Sequence, residues 1–233
     1  MKLKTLAIIP CYNEEASIKS TVDDLRSKTP DVDFIIINDG SSDNTLQICL
    51  DNGFPVIDMP FNLGLANAVQ TGMLYAYKND YDLALQFDGD GQHLPEYIPK
   101  MVDLMIETSA DIVIGARKKQ KTSFSFRGFG SFLLKIAIKI TTGKTITDPT
   151  SGLRLYNRKM IKLFANNMNY GPEPDTIAFL ICTGALVLET PVTMQERKAG
   201  KSYFSTFVSM KYMLQMFISI LIIQWFRKNE RGM

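Results

Sequence analysis

Asp88-Gly89-Asp90 is the segment whose residue types and spacing most directly imply chemistry. Two carboxylates two residues apart, at the end of an apolar run, can bind a hard divalent cation directly and through water. Mg2+ suits such a site because it keeps positions open for the phosphate oxygens of a substrate. Gly89 and Gly91 allow close backbone approach, and Gln92 and His93 can add neutral contacts. Solvated turns also produce Asp-x-Asp, so the pattern gains meaning only from where the fold puts it.

A second acidic candidate is Asp39, in Asn38-Asp39-Gly40-Ser41. It either closes an Asx turn or accepts from a nucleobase or ribose hydroxyl. Cations form the opposite group: Arg117, just after the apolar run 111–115, and Arg197 and Lys201 in Glu196-Arg197-Lys198-Ala199-Gly200-Lys201-Ser202. Such groups can steady a departing diphosphate while a metal neutralises the remainder, although each also reads as an ordinary surface charge. Glu173 and Asp175, in Gly-Pro-Glu-Pro-Asp, are candidate general bases and equally the stabilising acids of a helix N-terminus. No GxGxxG follows the first apolar run and no GxxxxGK[ST] occurs, so dinucleotide-binding and P-loop readings lose their support. His93, the single histidine, has no Ser or Cys in a nucleophile context, which disfavours a hydrolase triad. Cys11 reads as a small buried thiol at a strand end.

These residues need elements to carry them. Strand signals occur at Leu6–Pro10, Asp33–Asn38, Val56–Met59, Leu83–Phe87 and Asp111–Gly115. Between them lie helix signals, from about Glu14 to Lys28, from a cap at Ser42 or Asp43 through Leu50, and from Pro95 to Thr108. Leu65, Ala68, Val69, Gly72, Met73 and Ala76 recur at helical spacing. This alternation predicts an α/β fold with a mostly parallel central sheet flanked by helices. Right-handed crossovers then line up the strand C-terminal ends along one edge, where the clusters near Asn13, Asp39 and Asp88 all fall. The second half is less regular. A basic amphipathic helix is expected over Ser123–Thr142, broken near Gly128–Gly130, followed by a strand over Gly152–Tyr156 and a helix over Glu173–Cys182. A strand over Leu186–Pro191 and terminal amphipathic helices within Ser205–Phe226 complete it.

Charge is divided between the halves. Residues 1–116 hold 7 Lys and Arg against 18 Asp and Glu, a net of −11, whereas residues 117–233 hold 19 against 6, a net of +13. No acid occurs from Arg117 to Thr147 or from Arg197 to Asn229. Aromatics interleave with the bases of these stretches, which suggests a greasy interface with an anionic partner. The apolar run Tyr212–Phe226 would reach about 22 Å as a helix, short of a hydrocarbon core of about 30 Å. It reads as a helix lying at an interface or packed on a partner. Three cysteines without CxxC spacing fit reduced thiols rather than a disulfide framework or zinc cluster, and the opening apolar run is too short for a signal peptide.

The segments IIPCYNEE (8–15), INDGSSDNT (37–45), NLGLANAVQTG (62–72), QFDGDGQH (86–93), DIVIGAR (111–117), DPTSGLRLYNR (148–158) and PVTMQERKAGKS (191–202) together resemble the glycosyltransferase family 2 enzymes of GT-A fold. The resemblance is to their polyprenyl-phosphate (dolichol-phosphate) sugar synthase branch. It implies that Pro10, Tyr12, Glu14 and Asp39 hold the nucleoside of a nucleotide-sugar. Asp88, Asp90 and Gln92 would surround Mg2+ or Mn2+ on its diphosphate. Arg117, Arg197 and Lys201 would meet donor or acceptor phosphates, Ser202 would join the nucleotide-sugar contacts, and Asp148, Ser151 and Gly152 would line the sugar and acceptor side. Transfer would proceed with inversion. The QxxRW motif of many polysaccharide-making members is absent, and a transmembrane tail like that of many branch members is not expected.

The resemblance implies a GT-A domain over 1–202 and an amphipathic tail over 203–233. The donor would be UDP- or GDP-linked and the acceptor a lipid phosphate, with the chain peripheral at the cytoplasmic face of a membrane. A small membrane-protein partner or a second copy could cover the tail; nucleic acid is not expected. A phosphate acceptor is already ionised near neutral pH, its second pKa being about 6, and needs no general base. A sugar hydroxyl of a growing polysaccharide would need one. The rival readings are that polysaccharide transfer, a nucleotidyltransferase, and a non-catalytic nucleotide-sugar-binding subunit of a membrane complex.

Overall fold

The computed structural model describes residues 3–118, 126–167, 170–195 and 206–222. Strands β1 (Thr5–Cys11), β2 (Asp33–Asn38), β3 (Val56–Asp58) and β4 (Leu83–Gln86) are parallel. Helices α1 (Ile18–Lys28), α2 (Thr45–Asp51), α3 (Leu65–Lys78) and α4 (Ile98–Thr108) follow them in turn. Then come β5 (Ile112–Arg117), α5 (Phe126–Thr142), β6 (Arg154–Asn157), α6 (Arg158–Asn166), α7 (Pro174–Cys182), β7 (Val187–Val192) and α8 (Thr206–Leu221). The seven strands form one sheet in the order β3-β2-β1-β4-β6-β5-β7. Only β6 runs antiparallel to its neighbours, β4 and β5.

Side chains alternate across the pleat and build two apolar layers. On β1, Leu6 and Ile8 enter the layer covered by α3, α5, α6, α7 and α8. Ala7, Ile9 and Cys11 enter the layer covered by α1 and α4. Of the α3 stripe, Ala68, Val69, Gly72, Met73 and Ala76 are buried as their spacing predicts, whereas Leu65, in the first turn, is exposed. Each fully buried Leu, Ile or Met contributes about 1.5–3 kcal/mol.

Three features differ from expectation. Helix α1 begins at Ile18, not near Glu14, because Asn13 takes a left-handed φ of 56° and the residues after it fasten a loop. Helix α5 runs through Gly128–Gly130 without a break. Helix α6 was not foreseen: it follows β6 without a connecting loop, where Asn157 caps it by accepting from Met160 N–H at 3.0 Å. Among the described residues no helix is long and apolar enough to cross a membrane. Helix α8 packs against α5 and α7, and its Ile220 is fully buried.

Candidate active site

The strand order brings the predicted clusters together. Strands β2, β1 and β4 are neighbours, so Asp39, Tyr12 and Asp88 follow three adjacent C-terminal ends. Strand β5 points the same way as β4, placing Arg117 on that edge. Because β6 is reversed, the loop that enters it, Asp148–Leu153, also reaches this edge, between Asp88 and Arg117.

On the β2–β1 side the loops clasp each other. Asn13 donates its N–H to Ser41 Oγ (3.0 Å) and accepts from Ser42 N–H (2.8 Å). Glu15 accepts from Asn44 N–H (3.0 Å), and Asp43 from Glu15 N–H (3.1 Å). Asp39 is buried, and its two oxygens accept from the N–H groups of Leu63 and Gly64, each at 2.8 Å. Gly40 makes that geometry possible: it has a φ of 65°, and a Cβ there would lie 2.5 Å from the Phe61 carbonyl carbon. Glu14 is buried and accepts from Ser17 Oγ (2.7 Å). Pro10 is buried within β1 and Tyr12 is half-buried.

The Asp88–His93 loop sits beside this clasp. Asp88, Asp90 and Gln92 are half-buried. Gln86 Nε2 donates to Asp88 Oδ1 (3.2 Å), and Gln92 N–H donates to Asp90 Oδ1 (3.0 Å). Gly152 comes against Asp88, since a Cβ there would meet its Oδ2 at 2.5 Å. The Gly152 backbone therefore packs directly on the Asp88 carboxylate. Burial pushes the Cys11 thiol well above its ordinary range, helped by the charges of Glu14, Asp88 and Asp90. It is an unreactive packing group.

The cationic end is built around Arg117. Its Nε and Nη2 donate to the two oxygens of Asp148 at 2.6 and 2.8 Å, and Nη2 also reaches Thr150 Oγ1 (2.8 Å). Burial alone would raise the Asp148 carboxyl; the bonds and charge of Arg117 outweigh it and hold the group below its ordinary value. The Arg117 guanidinium remains about half exposed on its other side. Ser151 is buried and donates to Gly115 O (2.6 Å), fixing the β6 entry loop to β5. Arg197, Lys201 and Ser202 lie outside the described residues. The last residue before that segment, Gln195, donates its N–H to Gln92 O (3.0 Å).

A family model for glycosyl transferase family 2 matches residues 6–164. The chain belongs to glycosyl transferase family 2. Among relatives, an undecaprenyl-phosphate mannosyltransferase of Micrococcus luteus is 28% identical over 87% of this chain and 88% of its own. A UDP-N-acetylglucosamine–dolichyl-phosphate N-acetylglucosaminyltransferase of Methanococcus voltae is 32% identical over 69% of this chain and 72% of its own. These place the chain with the polyprenyl-phosphate sugar synthases. Among solved structures, glucosyl-3-phosphoglycerate synthase of Mycobacterium tuberculosis with Mn2+, UDP and phosphoglyceric acid aligns with a TM-score of 0.71. It is 14% identical, over 94% of this chain and 78% of that one. A mannosyltransferase of Pyrobaculum calidifontis with GDP-Man and Mn2+ gives 0.61 at 16% identity, over 87% of this chain and 59% of that one. At such identity they establish the GT-A fold alone.

In this glycosyltransferase a residue that sequence reasoning passed over organises the second half of the site. Arg154 is buried on β6 and donates to three backbone carbonyls: Pro149 (2.8 Å), Ser151 (2.9 Å) and Pro172 (2.6 Å). It ties the 148–152 loop to the 171–175 loop. Its place within DPTSGLRLYNR was visible, but only the reversed strand reveals that it points into the protein. Glu173 N-caps α7, and its side chain folds against Gly171. Asp175 is turned into the helix layer, where Ser219 of α8 donates to its Oδ2 (2.6 Å). Among the described residues no three His, Cys, Asp or Glu side chains converge as a closed metal cage. Asp88, Asp90 and Gln92 are a partial donor set, which fits a cation that completes its shell with diphosphate oxygens and water.

Proposed function

We propose that this glycosyltransferase moves a hexose from a UDP- or GDP-linked donor to a polyprenyl phosphate, with inversion and with Mg2+ or Mn2+ at Asp88, Asp90 and Gln92. The observation that carries the reading is the meeting of opposite charges on one sheet edge: Asp88 and Asp90 at β4, Arg117 at β5, and the Gly152 backbone between them. The similarity to polyprenyl- and dolichyl-phosphate sugar transferases supports the acceptor.

The nucleoside lies over Pro10, Tyr12, Glu14 and Asp39. Asp39 spends one lone pair of each oxygen on a backbone amide, and the remaining pairs can accept from a base or ribose. A bound cation would neutralise charge on the departing diphosphate. Arg117, held in plane by Asp148, offers its open side to a phosphate, and Arg197, Lys201 and Ser202 serve the same anions. The acceptor phosphate attacks as an anion, so no residue has to remove its proton. The burial of Asp175 and its bond to Ser219 favour this route over a carboxylate-assisted attack by a hydroxyl, and leave Glu173 as the candidate base should a hydroxyl be used.

The acceptor's membrane is met by α5, α8 and the rest of the 203–233 tail, with the 1–202 domain peripheral at the cytoplasmic face. Phe132, Ile136 and Ile140 are exposed at four-residue spacing on α5, and Leu214, Ile218 and Ile222 likewise along α8 and its end. Lys139, Lys144 and Lys211 are exposed beside them. A small membrane protein or a second copy covering the same stripes would show as lipid-independent association.

The test is transfer of labelled sugar from UDP- and GDP-hexoses to a short polyprenyl phosphate, with and without Mg2+ or Mn2+. Metal-dependent formation of a polyprenyl-phosphate sugar is expected. Transfer only to a saccharide hydroxyl would replace the acceptor assignment, and donor binding without any transfer would favour a binding subunit.

A further inference from the structure

His93 is buried at the end of the Asp88–His93 loop, and no step above uses it. Its Nδ1 accepts from Asp88 N–H at 2.9 Å. A nitrogen that accepts carries no proton, so the ring proton of this tautomer sits on Nε2. Nε2 lies 3.5 Å from Asp88 Oδ2. The imidazole thus turns the edge bearing both nitrogens towards one residue, meeting its backbone and its carboxylate. The ring is itself held edge-on against Phe87, with centroids 5.5 Å apart at 66°. Asp88 Oδ1 is taken by Gln86 Nε2 at 3.2 Å, and the Gly152 backbone closes on Oδ2.

We infer that His93 is a positioning residue that fixes the Asp88 backbone and carboxylate in the orientation a divalent cation requires. A carboxylate on a six-residue loop with two glycines has rotational freedom that must be lost when it ligates. Here that freedom is removed before the cation arrives. Groups that orient metal ligands in this way affect metal affinity by about 10–100-fold. The inference rests on the cation-dependent reading above.

The experiment is a titration of the full chain with Mn2+ in the presence of GDP or UDP, followed by the electron paramagnetic resonance signal of free Mn2+. The chains are wild type, His93→Phe, His93→Asn and His93→Gln, with folding checked by circular dichroism. Asn sets an acceptor close to the place of Nδ1, whereas Gln reaches the place of Nε2. Expected for His93→Phe is a rise of about 10–100-fold in the Mn2+ dissociation constant. Metal-free nucleotide affinity should stay within about twofold, which a general structural collapse would not leave untouched. His93→Asn should recover most of the loss and His93→Gln little. Should the Phe variant not fold, the Asn–Gln contrast decides. Variants that all bind Mn2+ like wild type overturn the role of His93 alone. A wild type that binds no Mn2+ with either nucleotide overturns the cation reading and this role with it.

Discussion

At the β2–β1–β4 end of the sheet edge the loops are fastened by carboxylates: Asp39, Asp43 and Glu15 each accept backbone N–H groups. At the β6–β5 end Arg154 reverses the direction of fastening and donates to three carbonyls. Carboxylates serve the second end too, where Glu189 accepts from Thr147 and Asp148 N–H, but both oxygens of Asp148 are bonded to Arg117. Fastening a loop therefore also sets its charge. Loops held by carboxylates add negative charge beside Asp88 and Asp90, where we propose the cation binds. At the second end Arg117 and Arg154 stand with Asp148 and Glu189, and the half-exposed Arg117 guanidinium is the group we propose meets phosphate.

The contrast breaks most readily at the acidic end. Asp90→Ala is expected to lower transfer by about a thousandfold, equivalent to roughly 4 kcal/mol, with the fold retained. Initial rates with saturating Mn2+ and a melting curve test both halves of that statement. At the other end, Arg154→Met removes the donor of three carbonyls, those of buried Pro149 and Ser151 and of half-buried Pro172. A loss of about 3–5 kcal/mol of stability is expected, read from urea unfolding. If instead the Met variant unfolds like wild type, the guanidinium is not the fastener of the second end.

Arg117 sharpens the comparison through pH. Asp148 sits below its ordinary value near 3.8. The stability it adds is complete above that value and disappears as pH falls through the lowered one. In Arg117→Met only the residue-117 N–H and the Thr150 hydroxyl still oppose burial, so Asp148 should titrate higher and stability should begin to fall at a higher pH. Urea midpoints measured from about pH 3 to 7 show the shift; coincident profiles would remove Asp148 as the partner that matters. The smallest effect is expected at the surface. Lys139→Gln and Lys211→Gln should each weaken flotation with anionic liposomes by about fivefold, or roughly 1 kcal/mol for the one charge removed. Transfer to a detergent-soluble acceptor should be unaffected.

The acidic half was legible in sequence because its βα units repeat one pattern. Apolar runs end in polar turns, and the parallel topology sends every such end to one edge. Asp39 and Asp88 could be placed there before any coordinates, although the backbone amides of Leu63 and Gly64 as partners of Asp39 could not. The basic half was less legible because its logic is non-local. The reversal of β6 has no signature in Arg154–Asn157, and α6 follows it without a loop. A buried Arg looks like any surface Arg until three carbonyls are found around it. Asp175 read as a possible base because its partner, Ser219, lies 44 positions away on another helix.

The central claim is that Asp88 and Asp90 share a cation with the diphosphate of the donor. Calorimetric titration of wild type with GDP and with UDP, with and without Mn2+, tests it most directly. At least one nucleotide should bind about ten times more tightly with the metal, and Asp90→Ala should abolish that difference. Nucleotide affinity that is indifferent to Mn2+ in the wild type, or a metal effect that survives in Asp90→Ala, would contradict it.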